Sequence, residues 1–300
     1  MEEIGKQYLN DKTRDKTGFL EKARLHQSKY RTDALNVPFE EYGNYLKKED
    51  ASMGLNFYND FDIFQAVQKR YPNYSKQLYA NMLRSEHIPF NFFVPFKTDL
   101  TFGKNVFNNL LSNQIQSIDK IEIEYAPSPA KKYLNDRTSF DTYIEYTHID
   151  NQRGIIGIEV KYTEHEYKLT PGSKEEADIN DKNSRYFLVS KKSRVFRPEA
   201  MPLLPTDKFR QIWRNQLLGE SILIEDKDKF KHFISLIIFP QDNLHFKKTG
   251  EEYLNMLSNN NNRFLTVTYE NFLLICKKHC PNDRFFQWIN YLTERYIVQN

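Results

Sequence analysis

The chain has 300 residues, enough to bury one large core, and a net charge of +3 at neutral pH. That balance is too small to announce a nucleic-acid binder from composition, so any basic surface has to be local. No segment approaches about twenty apolar residues, and Met1-Glu2-Glu3 is acidic, which argues against a membrane span or secretory signal and for a cytoplasmic location. The 23 Phe and 19 Tyr accompany plentiful Asn, Lys and Ile and scarce Ala, so they are weak evidence for base stacking. Cys276 and Cys280 are spaced i, i+4 beside His279. A zinc site needs about four ligands, so reduced thiols are the better reading.

Residues 1–70 read as helical and polar, with one helix around Leu20, Ala23 and Leu25 to Tyr30 and another around Phe61, Phe64, Val67 and Gln68. Gly43 and Gly54 mark loops. This stretch is expected to be a helical extension packed on a core of residues 71–300, the two forming one compact unit. The core opens with a predicted helix capped by Ser75, carrying Leu78, Tyr79, Met82, Leu83 and Glu86 and ended by Pro89. An apolar run, Phe90 to Phe96, follows, then a helix-like segment over 103–116. Lys120 to Tyr125 alternates as a strand, with Ile121 and Ile123 on one face and Glu122 and Glu124 on the other.

Phe140 to Tyr146 and Ile155 to Lys161 read as two strands joined by the polar turn Asp150-Asn151-Gln152-Arg153-Gly154. Antiparallel pairing brings the start of the first against the end of the second, so Asp141 should lie near Glu159 and Lys161. Residues 159 and 161 share a face. Charged groups on a buried strand are paired or hold a metal, and two carboxylates with a lysine suit a hard divalent cation. Such an ion acidifies bound water and polarises a phosphoryl oxygen, while the lysine stabilises developing charge. The bland alternative, an exposed salt bridge, fits poorly with the flanking Ile155, Ile156, Ile158 and Val160. Beyond the hairpin come a polar connection over 165–205, a helix from Thr206 to Ile224, a buried strand Phe233 to Phe239, a strand Phe264 to Tyr269, and helices near 270–279 and 283–297. Ser258 to Asn262 is an Asn-rich loop.

Asp141, seventeen intervening residues, then Glu159-Val160-Lys161 resembles the catalytic hairpin of the PD-(D/E)XK nuclease superfamily. Ser139-Phe140-Asp141 with Gly157-Ile158-Glu159-Val160-Lys161-Tyr162-Thr163-Glu164 is most similar to a restriction-endonuclease-like bacterial branch, although Phe140 stands where the superfamily's proline would be. The resemblance implies an α/β restriction-endonuclease-like core with a mixed central sheet flanked by helices. It also implies Mg²⁺, with Mn²⁺ able to substitute, held by Asp141, Glu159 and the Val160 carbonyl. Lys161 would position the attacking water, and Glu86 would reach the site from the first core helix. The implied activity is a Mg²⁺-dependent DNA endonuclease, a homodimer if both strands are cut.

Other candidates are weighed from their surroundings. Glu145 shares the face of Asp141 and is a rival third carboxylate, as are Glu122 and Glu124, whereas Glu164 and Glu166 are expected in a solvated loop. Gln211 and Arg214 on the second core helix could orient water or phosphate. Lys182, Arg185, Lys191, Lys192, Arg194 and Arg197 form a basic run without an acidic residue, suited to phosphate contact or simply solvated. Two rival functions remain: a non-catalytic nucleic-acid-binding module on the same fold, and a metal-dependent hydrolase of a small phosphorylated substrate. No glycine-rich phosphate loop, zinc-protease helix or serine elbow is present in the sequence.

Overall fold

The structure is a computed structural model that describes residues 18–40, 42–166, 168–258 and 262–298. Five strands form one mixed sheet in the order β1-β2-β3-β4-β5. They are β1 (Ile115–Tyr125), β2 (Phe140–His148), β3 (Arg153–Val160), β4 (His232–Phe239) and β5 (Phe264–Thr268). The first three pair antiparallel; β3, β4 and β5 run parallel. Alternation sends Ile156, Ile158, Val160, Leu236 and Ile238 into one core and Ile155, Phe233 and Ile237 into the other. The sheet is therefore covered on both faces.

One layer holds α1 (Phe19–Asp33), α2 (Lys48–Ser52), α3 (Ile63–Arg70), α4 (Ile88–Phe93), α5 (Leu100–Leu110), α10 (Tyr269–Lys278) and α11 (Asp283–Tyr296). The other holds α6 (Lys174–Asn180), α7 (Arg185–Ser193), α8 (Arg210–Glu225) and α9 (Leu244–Leu254). Phe19, Ala23, Phe61, Ile63 and Val67 join the same buried cluster as the sheet residues beside them. Gln27 donates to the Tyr162 hydroxyl at 3.0 Å and to the Arg295 carbonyl at 2.6 Å. None of the described helices is long and apolar enough to cross a membrane.

Several expectations are corrected. The helix predicted from Ser75 to Pro89 is broken: a single turn, Lys76–Ala80, gives way to a bridge between Asn81 and Tyr45. Pro89 then opens α4 rather than ending a helix, because a first-turn residue needs no backbone N–H. The helix expected over 103–116 ends at Leu110, and Ile115 already belongs to β1. Helix α8 begins at Arg210; the Thr206 hydroxyl bonds the Leu203 carbonyl instead of capping it. The connection over 165–205 contains α6 and α7, and α9 separates β4 from β5. In the Asn-rich loop, residues 259–261 lie outside the described residues.

Candidate active site

The β2–β3 register pairs Thr142 with Ile158 and so sets Asp141 against Glu159. The Val160 backbone N–H donates to Asp141 Oδ2 at 2.7 Å, locking the start of β2 to the end of β3. Lys161 lies just past β3, where its N–H still reaches the Ile238 carbonyl at 2.9 Å. Its ammonium contacts Glu159 Oε1 at 2.5 Å, and both side chains are buried, at 5% and 6% exposure. Asp141, Glu159 and Lys161 thus come together as their spacing suggests.

Helix α8 supplies the opposite wall. Gln211 donates to Glu159 Oε1 at 2.6 Å, and Asn215, one turn later, donates to Glu159 Oε2. Sequence reasoning named Gln211 and missed Asn215, although their i, i+4 spacing puts two amides on one helical face. These side chains, with Arg137, Thr138, Ser139 and Arg214, line a polar cleft of about 210 Å³. Arg137 is exposed at its mouth.

A further carboxylate approaches from β1. Glu124 falls between the pairs Ile123–Thr142 and Tyr125–Phe140, which sets it beside Asp141 in the register. Its φ is +55°, an uncommon conformation for a residue with a side chain. The kink breaks the alternation, so the Tyr125 ring stacks on Tyr143 at 3.9 Å. Burial, opposed by a Tyr71 hydrogen bond and reinforced by the Glu159 charge, pushes Glu124 up to about 7. Burial, then Glu159 and Glu124, drives the Asp141 carboxyl well above its usual range. Burial opposes the charge on Lys161, but Glu159, Asp141 and Glu164 outweigh it and raise the ammonium's pKa.

The oxygen-only donor set of Asp141 and Glu159 suits a hard cation, and a divalent ion would favour the charged form of the Asp141 carboxyl, which burial first and then the Glu159 and Glu124 charges disfavour. Val160 is fixed there through its N–H. Glu86 forms a partly exposed pair with Arg84 at 2.5 Å and reaches the cluster only through its charge on Glu124. Glu145 is buried but held by Tyr143 and Arg153, and Glu122 pairs with Lys120; neither lines the cleft. Glu164 differs from expectation: its half-buried carboxylate accepts the N–H groups of Tyr162 and Ser85, each at 2.9 Å. Glu166 is exposed.

The basic run divides in two. Arg185 binds the carbonyls of Tyr133 and Lys132 and pairs with Glu225, and Arg197 donates to the Leu257 carbonyl. Lys182, Lys191, Lys192 and Arg194 are exposed. Arg214 is engaged by Asp136, Thr138 and Glu175 while its side chain lines the cleft. Cys276 and Cys280 are free thiols.

Comparison with known families matches residues 13–298 to the model described as the PD-(D/E)XK nuclease superfamily. Neither the curated proteins nor the solved structures return a significant match.

Proposed function

The chain belongs to the PD-(D/E)XK nuclease superfamily, and we propose that it is a Mg²⁺-dependent endonuclease hydrolysing DNA phosphodiester bonds. The observation that carries this reading is the Asp141–Glu159–Lys161 cluster, whose two carboxylates line a polar cleft with the buried Lys161 ammonium against Glu159. Asp141 and Glu159 would hold the ion, with the Val160 carbonyl as a further ligand. Bound there, Mg²⁺ would acidify a water and polarise the phosphate.

The chain's own residues do the rest. Gln211 and Asn215 fix the Glu159 carboxylate from two sides, which holds its oxygens in place. The Lys161 ammonium, kept charged by its carboxylate neighbours, orients the attacking water and stabilises charge growing on the phosphate. Arg137 would meet the scissile strand's phosphate at the mouth of the cleft, and the exposed Lys182, Lys191 and Lys192 would add backbone contacts, whereas Arg194 lines a groove beside Lys231 and His232 at the other end of the sheet. Cutting both strands calls for two such sites, so the reading carries a homodimer on DNA.

Asp141→Ala, Glu159→Ala and Lys161→Ala should each abolish Mg²⁺-dependent cleavage. Glu159→Ala also leaves Lys161 buried without its partner, so thermal melting must accompany the assay. Wild-type rates in folded forms of all three variants would refute the assignment. Tight DNA binding without EDTA-sensitive turnover would favour a non-catalytic module instead.

A further inference from the structure

We propose that His148, Asp150 and His232 form a second metal site, for a transition-metal ion of the Zn²⁺ class, at the end of the sheet remote from the carboxylate pair. His148 is the last residue of β2, Asp150 lies in the turn, and His232 is the first residue of β4. Their donor atoms lie within 4.8 Å of one another. The register pairs Gly154 with His232 and Glu159 with Ile237. Five strand residues at about 3.3 Å each separate the two levels, so the sites are roughly 17 Å apart along β3.

One carboxylate draws both rings together. Asp150 Oδ1 lies 2.9 Å from His148 Nδ1, and Asp150 Oδ2 lies 2.9 Å from His232 Nε2. The Asp150 backbone N–H also lies 3.2 Å from His148 Nδ1. As neutral tautomers the rings can donate Nδ1–H and Nε2–H to the carboxylate; they stack at 3.9 Å, where two protonated rings would repel. A divalent ion would take the place of those two donors, each ring's proton moving to its other nitrogen, so that the same three groups become ligands with both rings neutral.

Two imidazoles and one carboxylate favour Zn²⁺ or a neighbouring transition metal over Mg²⁺. The Gln152 N–H donates to Asp150 Oδ1 at 2.9 Å, orienting the carboxylate. Side-chain exposures of 14%, 41% and 31% leave room for entry and for water as a fourth ligand. The ion would clamp the β2–β3 turn to the start of β4.

The test is calorimetric titration of ZnCl₂ into the Asp141→Asn/Glu159→Gln protein, which removes the other carboxylate site. Tight uptake of one ion is expected, weakened at least about tenfold by adding Asp150→Asn or His232→Gln. Asp150→Asn keeps an acceptor for the Gln152 N–H, so the turn is preserved. Without further substitution, Zn²⁺ should also protect His148 and His232 from diethylpyrocarbonate, read by peptide mass spectrometry. Unchanged Zn²⁺ affinity in both variants, or absence of protection, would overturn the proposal.

Discussion

Glu124 joins the site through the register of β1 and carries an uncommon backbone angle there. Pairing sets it beside Asp141, its φ is positive, and its charge is felt by Asp141 as that of Glu159 is felt by Glu124. Strain of this kind is stored where surrounding structure over-determines a residue, and that is often a functional site. Its carboxyl has a raised pKa in the folded state, so its contribution to stability is full below the unfolded value and lost as pH rises through the folded one. The window runs from 4.5 to about 7. Across it, the metal-free native chain should lose melting temperature relative to Glu124→Gln; a constant difference would contradict the assignment. Arg137 is the other residue whose role follows from position. Arg137→Ala should weaken binding of different DNA sequences to a similar extent and lower the slope of log affinity against log salt by about one.

At the level of elements, the hairpin was legible because three independent signals agree there. Side chains repeat every second residue, Gly154 ends a polar turn, and an apolar run is interrupted only by Glu159. Helix α8 was legible from the apolar spacing of Ile212, Trp213 and Leu217, though its start was not, because Thr206 has a capping residue's chemistry but bonds backward. Helices α6, α7 and α9 were hidden by their polar composition; α7 buries Tyr186, Phe187 and Val189 within an otherwise basic run. Asn215 was missed although it stands i+4 from Gln211, because the spacing alone does not say which polar helix face meets the strand. Gly157 links the sheet's packing to the site: a Cβ there would lie 2.2 Å from the Phe140 ring, which is fully buried beside Asp141. Gly157→Ala should therefore destabilise by roughly 1–3 kcal/mol and cut activity by displacing the start of β2. Chemical denaturation with a parallel cleavage assay measures both. Unaltered stability would show that the ring has room to move.

For the whole molecule, the described residues before 71 matter through the core they share with the sheet. Phe19, Ala23, Ile63 and Val67 are buried in the cluster that contains Tyr162 and Tyr296. Removing residues 1–70 should expose that cluster and yield insoluble or unfolded protein, as judged by circular dichroism; a cooperative, soluble 71–300 fragment would contradict this. The central claim is that Asp141, Glu159 and Lys161 act together in metal-dependent phosphodiester hydrolysis. Its most direct test is digestion of plasmid, linear, branched and single-stranded DNA by the native chain, with and without Mg²⁺, beside a folded Lys161→Ala control. The expected result is EDTA-sensitive cleavage of at least one substrate, reduced by about 10²-fold or more in the control. Equal cleavage by both proteins, or none with any divalent ion, would contradict it.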